Sequence, residues 1–326
     1  MRAVVITKYG DPDVLSIKEV EKPTPKHDEI LVKVRATSLN RADLMQRRGL
    51  YPDPFPGAYD IPGLEFSGTV ELCGDSVTTW KAGDEVMGIV SGGAYAEYLV
   101  VPEMQAIAVP QNIGLANAAA IPEVFITAWD ALVCQANLQA GQWALVHAGA
   151  SGVGTAAIQI CKAIGAYVVV TCSAGKRDAC LALGADLALD YKTADFVEVA
   201  MQATHGKGVN AVLDVIGGEY LNRNVSALAL KGTIVQVGLM GGGSTAFNIG
   251  ALMPKRARLM GTVLRPRPAD EKIAVTQRFI SEMMPLFAVG KLRPVIDRRF
   301  GLDQVVEAHQ LMESNANTGK IVIDVC

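Results

Sequence analysis

HAGASGVG, residues 147–154, is the stretch on which the fold of this chain turns. It leaves the apolar run ALVHA (144–148) and opens GVGTAAIQICKAIG (152–165), a helix-like stretch followed by the strand-like YVVVTC (167–172). Between a strand and a helix, glycines permit a tight turn and let backbone N–H groups approach a pyrophosphate at the helix N-terminus. Gly149 and Gly154 fit the first and third positions of GxGxxG, with Ser151 at the second. The flanking elements make the imperfect match strong. Gly149, Ala150, Ser151, Gly152, Val153 and Gly154 are therefore candidate dinucleotide ligands. Ser151 is placed to approach phosphate or ribose, and no His or Asp in a triad-like context marks it as a nucleophile. Residues 143–170 are long enough for a membrane span, but four glycines, His147 and Lys162 interrupt them, and strand–helix–strand reads better.

Cofactor choice is read where the second strand ends. An NAD site usually places Asp or Glu there for the ribose 2′-hydroxyl. This chain has Ser173, Lys176 and Arg177 and no carboxylate. Two cations attract a 2′-phosphate that a carboxylate repels, so NADPH is expected over NADH. Tyr191 follows LALD (187–190) and lies either near the adenosine or packed on a loop. Gly238, Leu239 and Met240, in GLMGGG (238–243), follow a later strand and are candidates for the nicotinamide end, because such loops face the ligand crevice.

Strand–helix alternation continues through AVLDVIGG (211–218), helix-like YLNRNVSALAL (220–230) and GTIVQVGL (232–239), which predicts a parallel sheet with right-handed crossovers. The chain before residue 122 is instead mainly β, with strands such as EILVKVRATSL (29–39) and a stiff Pro-rich loop over 47–63. The tail, with one long helix-like stretch and the strand KIVIDV (320–325), resembles the first part. The layout is an α/β domain inserted in a β-rich one: residues 1–122, a dinucleotide-binding domain over 123–262, and the β-rich domain resumed over 263–326.

The 326 residues carry 30 Lys plus Arg and 33 Asp plus Glu, a net charge of −3, which argues against nucleic acid as the main partner. No signal-peptide pattern opens the chain, and six cysteines without CxxC or metal-ligand spacing read as free thiols in a reducing cytoplasm, with no membrane partner. The four histidines are scattered, and no metal is expected.

Taken together, SLNRADLMQRRGLYP (38–52), PGLEFSGTV (62–70), IPEVFITAWDAL (121–132), HAGASGVGTAAIQ (147–159), GLMGGG (238–243) and NTGKIV (317–322) resemble the medium-chain dehydrogenase/reductase superfamily. Within it they are similar to the zinc-independent quinone oxidoreductases, in particular the tumour-suppressor-inducible group and its bacterial relatives. The resemblance implies a doubly wound Rossmann domain inserted in a GroES-like catalytic domain, with nicotinamide and substrate between the two. It also implies a homodimer, or a tetramer of dimers, paired through edge strands such as RLMGTVL (258–264). Zinc-dependent members carry a ligand Cys where this chain has Asn40, and His-Glu where it has Leu64-Glu65. Without that Lewis acid, alcohol oxidation is disfavoured.

By role, Tyr51 on the Pro-rich loop is the first candidate to hydrogen-bond a quinone oxygen, as relatives place a Tyr there. Asn40 and Asp43 are candidates to orient nicotinamide or substrate. Thr127 opens a helix and either binds the ribose or amide or caps that helix, and Asn317 is a candidate to reach the cofactor from the tail. The expected function is NADPH-dependent reduction of quinones, ortho-quinones among them. The alternatives are an enoyl or 2-alkenal reductase, and an NADPH-binding structural or RNA-associated protein using Lys255, Arg256, Arg258, Arg265 and Arg267 as its basic patch.

Overall fold

The computed structural model describes all 326 residues. Its contacts divide the chain into two compact units, Met1–Ile126 with Leu264–Cys326, and Thr127–Val263.

The first stretch opens on an antiparallel pair, β1 (Arg2–Ile6) and β2 (Leu15–Glu19). β3 (Glu29–Ser38) is followed by α1 (Arg41–Arg47), β4 (Glu65–Cys73), β5 (Glu85–Ile89), β6 (Tyr98–Pro102) and β7 (Ala106–Ala108). Residues 48–64, with their prolines, form neither helix nor strand. A proline has no N–H for a ladder and fixes φ, so a loop is the outcome expected of that composition. α2 (Leu115–Ala118) and α3 (Pro122–Trp129) close the stretch.

The middle stretch alternates strictly: β8 (Trp143–Val146), α4 (Gly152–Ala163), β9 (Tyr167–Cys172), α5 (Arg177–Ala182), β10 (Leu187–Asp190), α6 (Phe196–Ala203), β11 (Val209–Asp214), α7 (Tyr220–Ala227), β12 (Leu228–Gln236), α8 (Leu252–Lys255) and β13 (Arg258–Gly261). All six strands run parallel in the order β10-β9-β8-β11-β12-β13. Numbered within the sheet this is 3-2-1-4-5-6, the doubly wound dinucleotide-binding order, with its switch point between β8 and β11. Leu145, Val169 and Val212 are wholly buried, as central parallel strands covered on both faces require.

One stretch departs from the sequence pattern. YLNRNVSALAL reads as a single helix, yet α7 stops at Ala227 and β12 begins at Leu228. Leu228 sits opposite Val209, buried, and the register shifts before Ala211 pairs with Thr233. Strand pairing and burial here outweigh the helix propensity of Ala and Leu.

The last stretch brings α9 (Ala269–Ala288), β14 (Ile296–Gly301), α10 (Val305–Glu313) and β15 (Lys320–Asp324). β15 lies antiparallel to β3 and parallel to β14, which ties the end of the chain into the sheet begun near its start. That sheet runs β14-β15-β3-β4-β5-β7, with β6 also on β3. Ile321 and Ile323 join Val32, Val34, Phe66 and Val86 in one core, so the β-rich unit needs both ends of the chain to close. No helix is long and apolar enough to cross a membrane.

Candidate functional site

In the α/β unit the glycine turn is built by close approach. A Cβ on Gly149 would lie 2.5 Å from Val170 Cβ, and one on Gly154 would lie 2.3 Å from the Ala148 carbonyl oxygen. Only glycine admits both contacts. Ala148 takes φ of +54° at the bend. Ser151 caps α4, its Oγ accepting the Gly154 N–H at 3.0 Å. The first N–H groups of a helix have no acceptor inside it, so Gly152 and Val153 present theirs at the positive end of the dipole. These residues therefore fit a pyrophosphate; Ala150 is buried behind the turn.

The residues expected at the adenosine end do come together. Ser173 begins a short 3-10 turn directly after β9 and precedes Lys176 and Arg177. Arg177 Nε donates to the Ala188 carbonyl oxygen at 2.9 Å, which anchors an otherwise exposed guanidinium beside β10. The Tyr191 N–H donates to the Cys172 carbonyl oxygen at 3.2 Å, so this half-exposed ring stands next to the end of β9. No carboxylate precedes the two cations after β9.

The 238–243 loop follows β12 and docks on the loop after β11. The Met240 N–H donates to the Val215 oxygen at 3.1 Å and the Gly241 N–H to the Ile216 oxygen at 2.7 Å. Gln236 Nε2 donates to Gly238 O at 2.6 Å. Leu239 and Met240 remain about half exposed, and Leu239 helps line a hollow of about 390 Å³ with Gly217, Gly218 and Gly242. His147 is wholly buried between the rings of Phe196 and Tyr220. Its Nε2 faces Asn224 Oδ1 at 2.7 Å, while Asn224 Nδ2 donates to Asp214 at 2.8 Å. The amide orientation makes Nε2 the donor, so Nδ1 accepts the Thr171 hydroxyl at 3.0 Å. Burial lowers the His147 pKa, consistent with a neutral imidazole in a satisfied core network.

In the β-rich unit the chemistry gathers around one buried ammonium. Lys320, 3% exposed on β15, places Nζ 2.6 Å from Leu39 O, 2.7 Å from Asn40 Oδ1 and 2.8 Å from Glu65 Oε1. Glu65 also accepts from Ser38 Oγ at 2.5 Å, Asn40 Nδ2 at 2.9 Å and the Glu123 N–H at 2.8 Å. Asp43, fully buried, accepts from the Asn40 N–H at 2.7 Å, the Tyr95 hydroxyl at 3.1 Å and the Gly63 N–H at 3.2 Å. Burial nonetheless raises its pKa to about 6. Asn40 and Asp43 are thus brought together, with their bonds directed to other protein groups.

Tyr51 is half-buried on the loop. The Arg265 guanidinium lies over its ring at 5.0 Å and donates to its carbonyl oxygen at 2.8 Å, while also bonding Ser91 O at 2.5 Å and Gln46 Oε1 at 2.7 Å. Lys272 bonds Ser91 Oγ and lies over the Phe55 ring. Two cations from residues 265–272 therefore fasten the 51–55 loop. Burial raises the Tyr51 phenol above its ordinary pKa, so it keeps its proton.

Two expectations need correction. Thr127 does not open a helix: α3 starts at Pro122 and Thr127 lies in its interior, which removes the capping reading. The basic residues between 255 and 267 do not form one patch: Arg265 is 3% exposed and spent on the loop, and Lys255 donates to the oxygens of Ser226 and Leu228 at 2.6 Å each. Asn317 Nδ2 donates to Gly319 O at 2.8 Å in the turn before β15.

Lys320, Glu123 and Arg265 were not legible as site residues from the motifs. For Lys320 and Glu123 a signal was present: a charge inside the apolar runs KIVIDV and IPEVFITAW must be paired or neutral once buried.

A zinc ion does not fit here. Asn40 and Leu64 stand where the resemblance places Cys and His, Lys320 already engages the oxygens of Asn40 and Glu65, and no three His, Cys, Asp or Glu side chains are grouped to hold a metal.

Comparison with known proteins gives the family. The alcohol dehydrogenase GroES-like domain model matches residues 26–111, and the zinc-binding dehydrogenase model matches 183–323. The synaptic vesicle membrane protein VAT-1 homolog of Danio rerio is 32% identical over 338 residues, 99% of this chain and 69% of that protein. The crystal structure of Escherichia coli quinone oxidoreductase complexed with NADPH superposes with a TM-score of 0.88 at 28% identity, covering 100% of both chains. That of CurK enoyl reductase superposes with a TM-score of 0.87 at 26% identity, covering 99% of this chain and 98% of that one. With the doubly wound insert in a β-rich unit, these place the chain in the medium-chain dehydrogenase/reductase superfamily of oxidoreductases.

Proposed function

We propose that this protein is an NADPH-dependent reductase that passes hydride to quinones, ortho-quinones among them, without zinc. The observation that carries the reading is the Lys320 ammonium held by Asn40 and Glu65 where zinc-dependent relatives keep a metal. The E. coli quinone oxidoreductase bound to NADPH supports cofactor and acceptor class alike. Gly149 to Gly154 would hold the pyrophosphate, and Ser173, Lys176 and Arg177 the 2′-phosphate, with Tyr191 beside the adenine. Gly238, Leu239 and Met240 would border the nicotinamide end, with Thr127 and Asn317 as further cofactor contacts. NADPH, when bound, supplies the hydride. Tyr51 keeps its phenolic proton and would hydrogen-bond the acceptor oxygen; exposed Leu50 and Phe55 give its loop an apolar surface suited to a flat ring. Asn40 and Asp43 act as positioning residues through their shared network.

A second reading, reduction of 2-alkenals or enoyl compounds, is favoured by the likeness to CurK enoyl reductase and by the proton-bearing Tyr51. NADPH oxidation measured across ortho- and para-quinones, 2-alkenals and alcohols decides between them. Quinone rates well above alkenal rates are expected; the reverse ranking overturns the first reading, and turnover of alcohols alone overturns both. Homodimer formation through β13 is proposed with it: this edge strand pairs on one side only, and Leu259 is exposed on it. Six free thiols support a cytoplasmic setting.

A further inference from the structure

Three carboxyl groups, Glu65, Asp43 and Glu123, share the neighbourhood of one ammonium, Lys320. Their hydrogen bonds are distributed very unequally. Glu65 receives four donors and the ammonium is one of them; Asp43 receives three. Glu123 receives none from the chain: its backbone N–H is spent on Glu65, and no hydrogen bond reaches its carboxyl. Donors stabilise the charged form of an acid, and a neighbouring carboxylate destabilises it. The carboxyl without donors, beside a carboxylate that holds the Lys320 ammonium, is the one that retains its proton. The groups facing it are Glu65 from β4, Asp43 from α1, Lys320 from β15, Arg265 and Lys272 from the 265–272 segment, and Tyr51 from the loop. Burial and the Glu65 charge push its pKa up to about 8. Its side chain is only partly shielded, so solvent can return a proton to it.

We propose that Glu123 is the proton donor for the acceptor, with Tyr51 positioning the acceptor oxygen; this rests on the reductase reading above. Reduction of a quinone to hydroquinone takes up one hydride and one proton. The nicotinamide supplies the hydride, with its two electrons. The Glu123 O–H bond breaks as an O–H bond forms on the acceptor oxygen, the bonding pair stays on the carboxylate, and water reprotonates it. For an enone the same proton would go to the α-carbon.

The test compares wild type with Glu123→Gln and Glu123→Asp, using NADPH and a quinone. Wild-type turnover is expected to fall as pH rises through about 8. Glu123→Gln is expected to lose about 100-fold in kcat with that limb abolished, and Glu123→Asp to recover part of the rate with the limb restored at lower pH. A second readout needs no turnover: the infrared band of a protonated carboxylic acid, present at neutral pH and lost in alkali, should be missing from Glu123→Gln. A Gln variant with wild-type rate and pH limb, or an unchanged infrared band, overturns the proposal while leaving the reductase reading intact. A wild type that reduces no acceptor defeats that reading, and the donor role with it.

Discussion

The glycine turn of the α/β unit and the ammonium cluster of the β-rich unit both prepare a place for charge, by opposite means. The turn is made of backbone: two glycines, a serine cap and the open N–H groups of α4, contiguous over residues 149–154. The cluster is made of side chains from β3, α1, β4 and β15, joined to one another and to the Leu39 oxygen and the Glu123 N–H by hydrogen bonds spanning as many as 281 positions. A backbone site tolerates almost no added volume and is indifferent to side-chain charge. A side-chain site tolerates volume but fails when one charge is removed.

That contrast breaks most visibly at Lys320. Lys320→Met strands the buried Glu65 carboxylate, and the β-rich unit should lose about 3–5 kcal/mol in denaturant unfolding of the full chain. Adding Glu65→Gln should recover part of that loss; no loss in the single variant would mean the ammonium is not what holds the cluster. Next comes Gly154→Val, whose Cβ would strike the Ala148 oxygen. NADPH binding measured by calorimetry should weaken about 100-fold, roughly 2.7 kcal/mol, with Lys320-cluster stability untouched.

The two buried histidines sharpen the comparison. His147 has both nitrogens bonded, whereas His309 faces the buried Arg47 guanidinium at 3.3 Å and its Nε2 has no partner. Burial, and then Arg47, lower the His309 pKa to about 3. A folded-state value below the unfolded one gives stability that is present above about pH 6.5 and is lost as pH falls toward 3. His309→Phe should therefore shrink the stability difference between pH 7 and pH 5 by about 2 kcal/mol, read from urea midpoints; an unchanged difference would assign the acid sensitivity elsewhere. The smallest effect is expected at the exposed Arg177. Arg177→Ala should weaken NADPH about tenfold, near 1.4 kcal/mol, and leave NADH unchanged; equal losses for both would remove the 2′-phosphate from its role.

The same contrast explains what the sequence disclosed. A site built from consecutive backbone leaves its spacing in the sequence, so HAGASGVG and the strand–helix alternation around it were readable, as was the parallel sheet they imply. Leu228 escaped because strand pairing, invisible in a window of Ala and Leu, decides its state. Lys320 and Glu123 escaped because no local pattern records that residues so far apart will meet. Arg265 looked like part of a basic run until burial and three protein partners showed its task was to hold the Tyr51 loop.

On the reading proposed above, the chain hands hydride to its acceptor with an ammonium, and no metal, at the heart of the β-rich unit. The most direct measurement is the rate of NADPH oxidation by a quinone after exhaustive treatment with a chelator, alongside metal analysis of the purified protein. An undiminished rate with no stoichiometric zinc is the expected result. A rate abolished by the chelator and restored by Zn²⁺ would contradict the account.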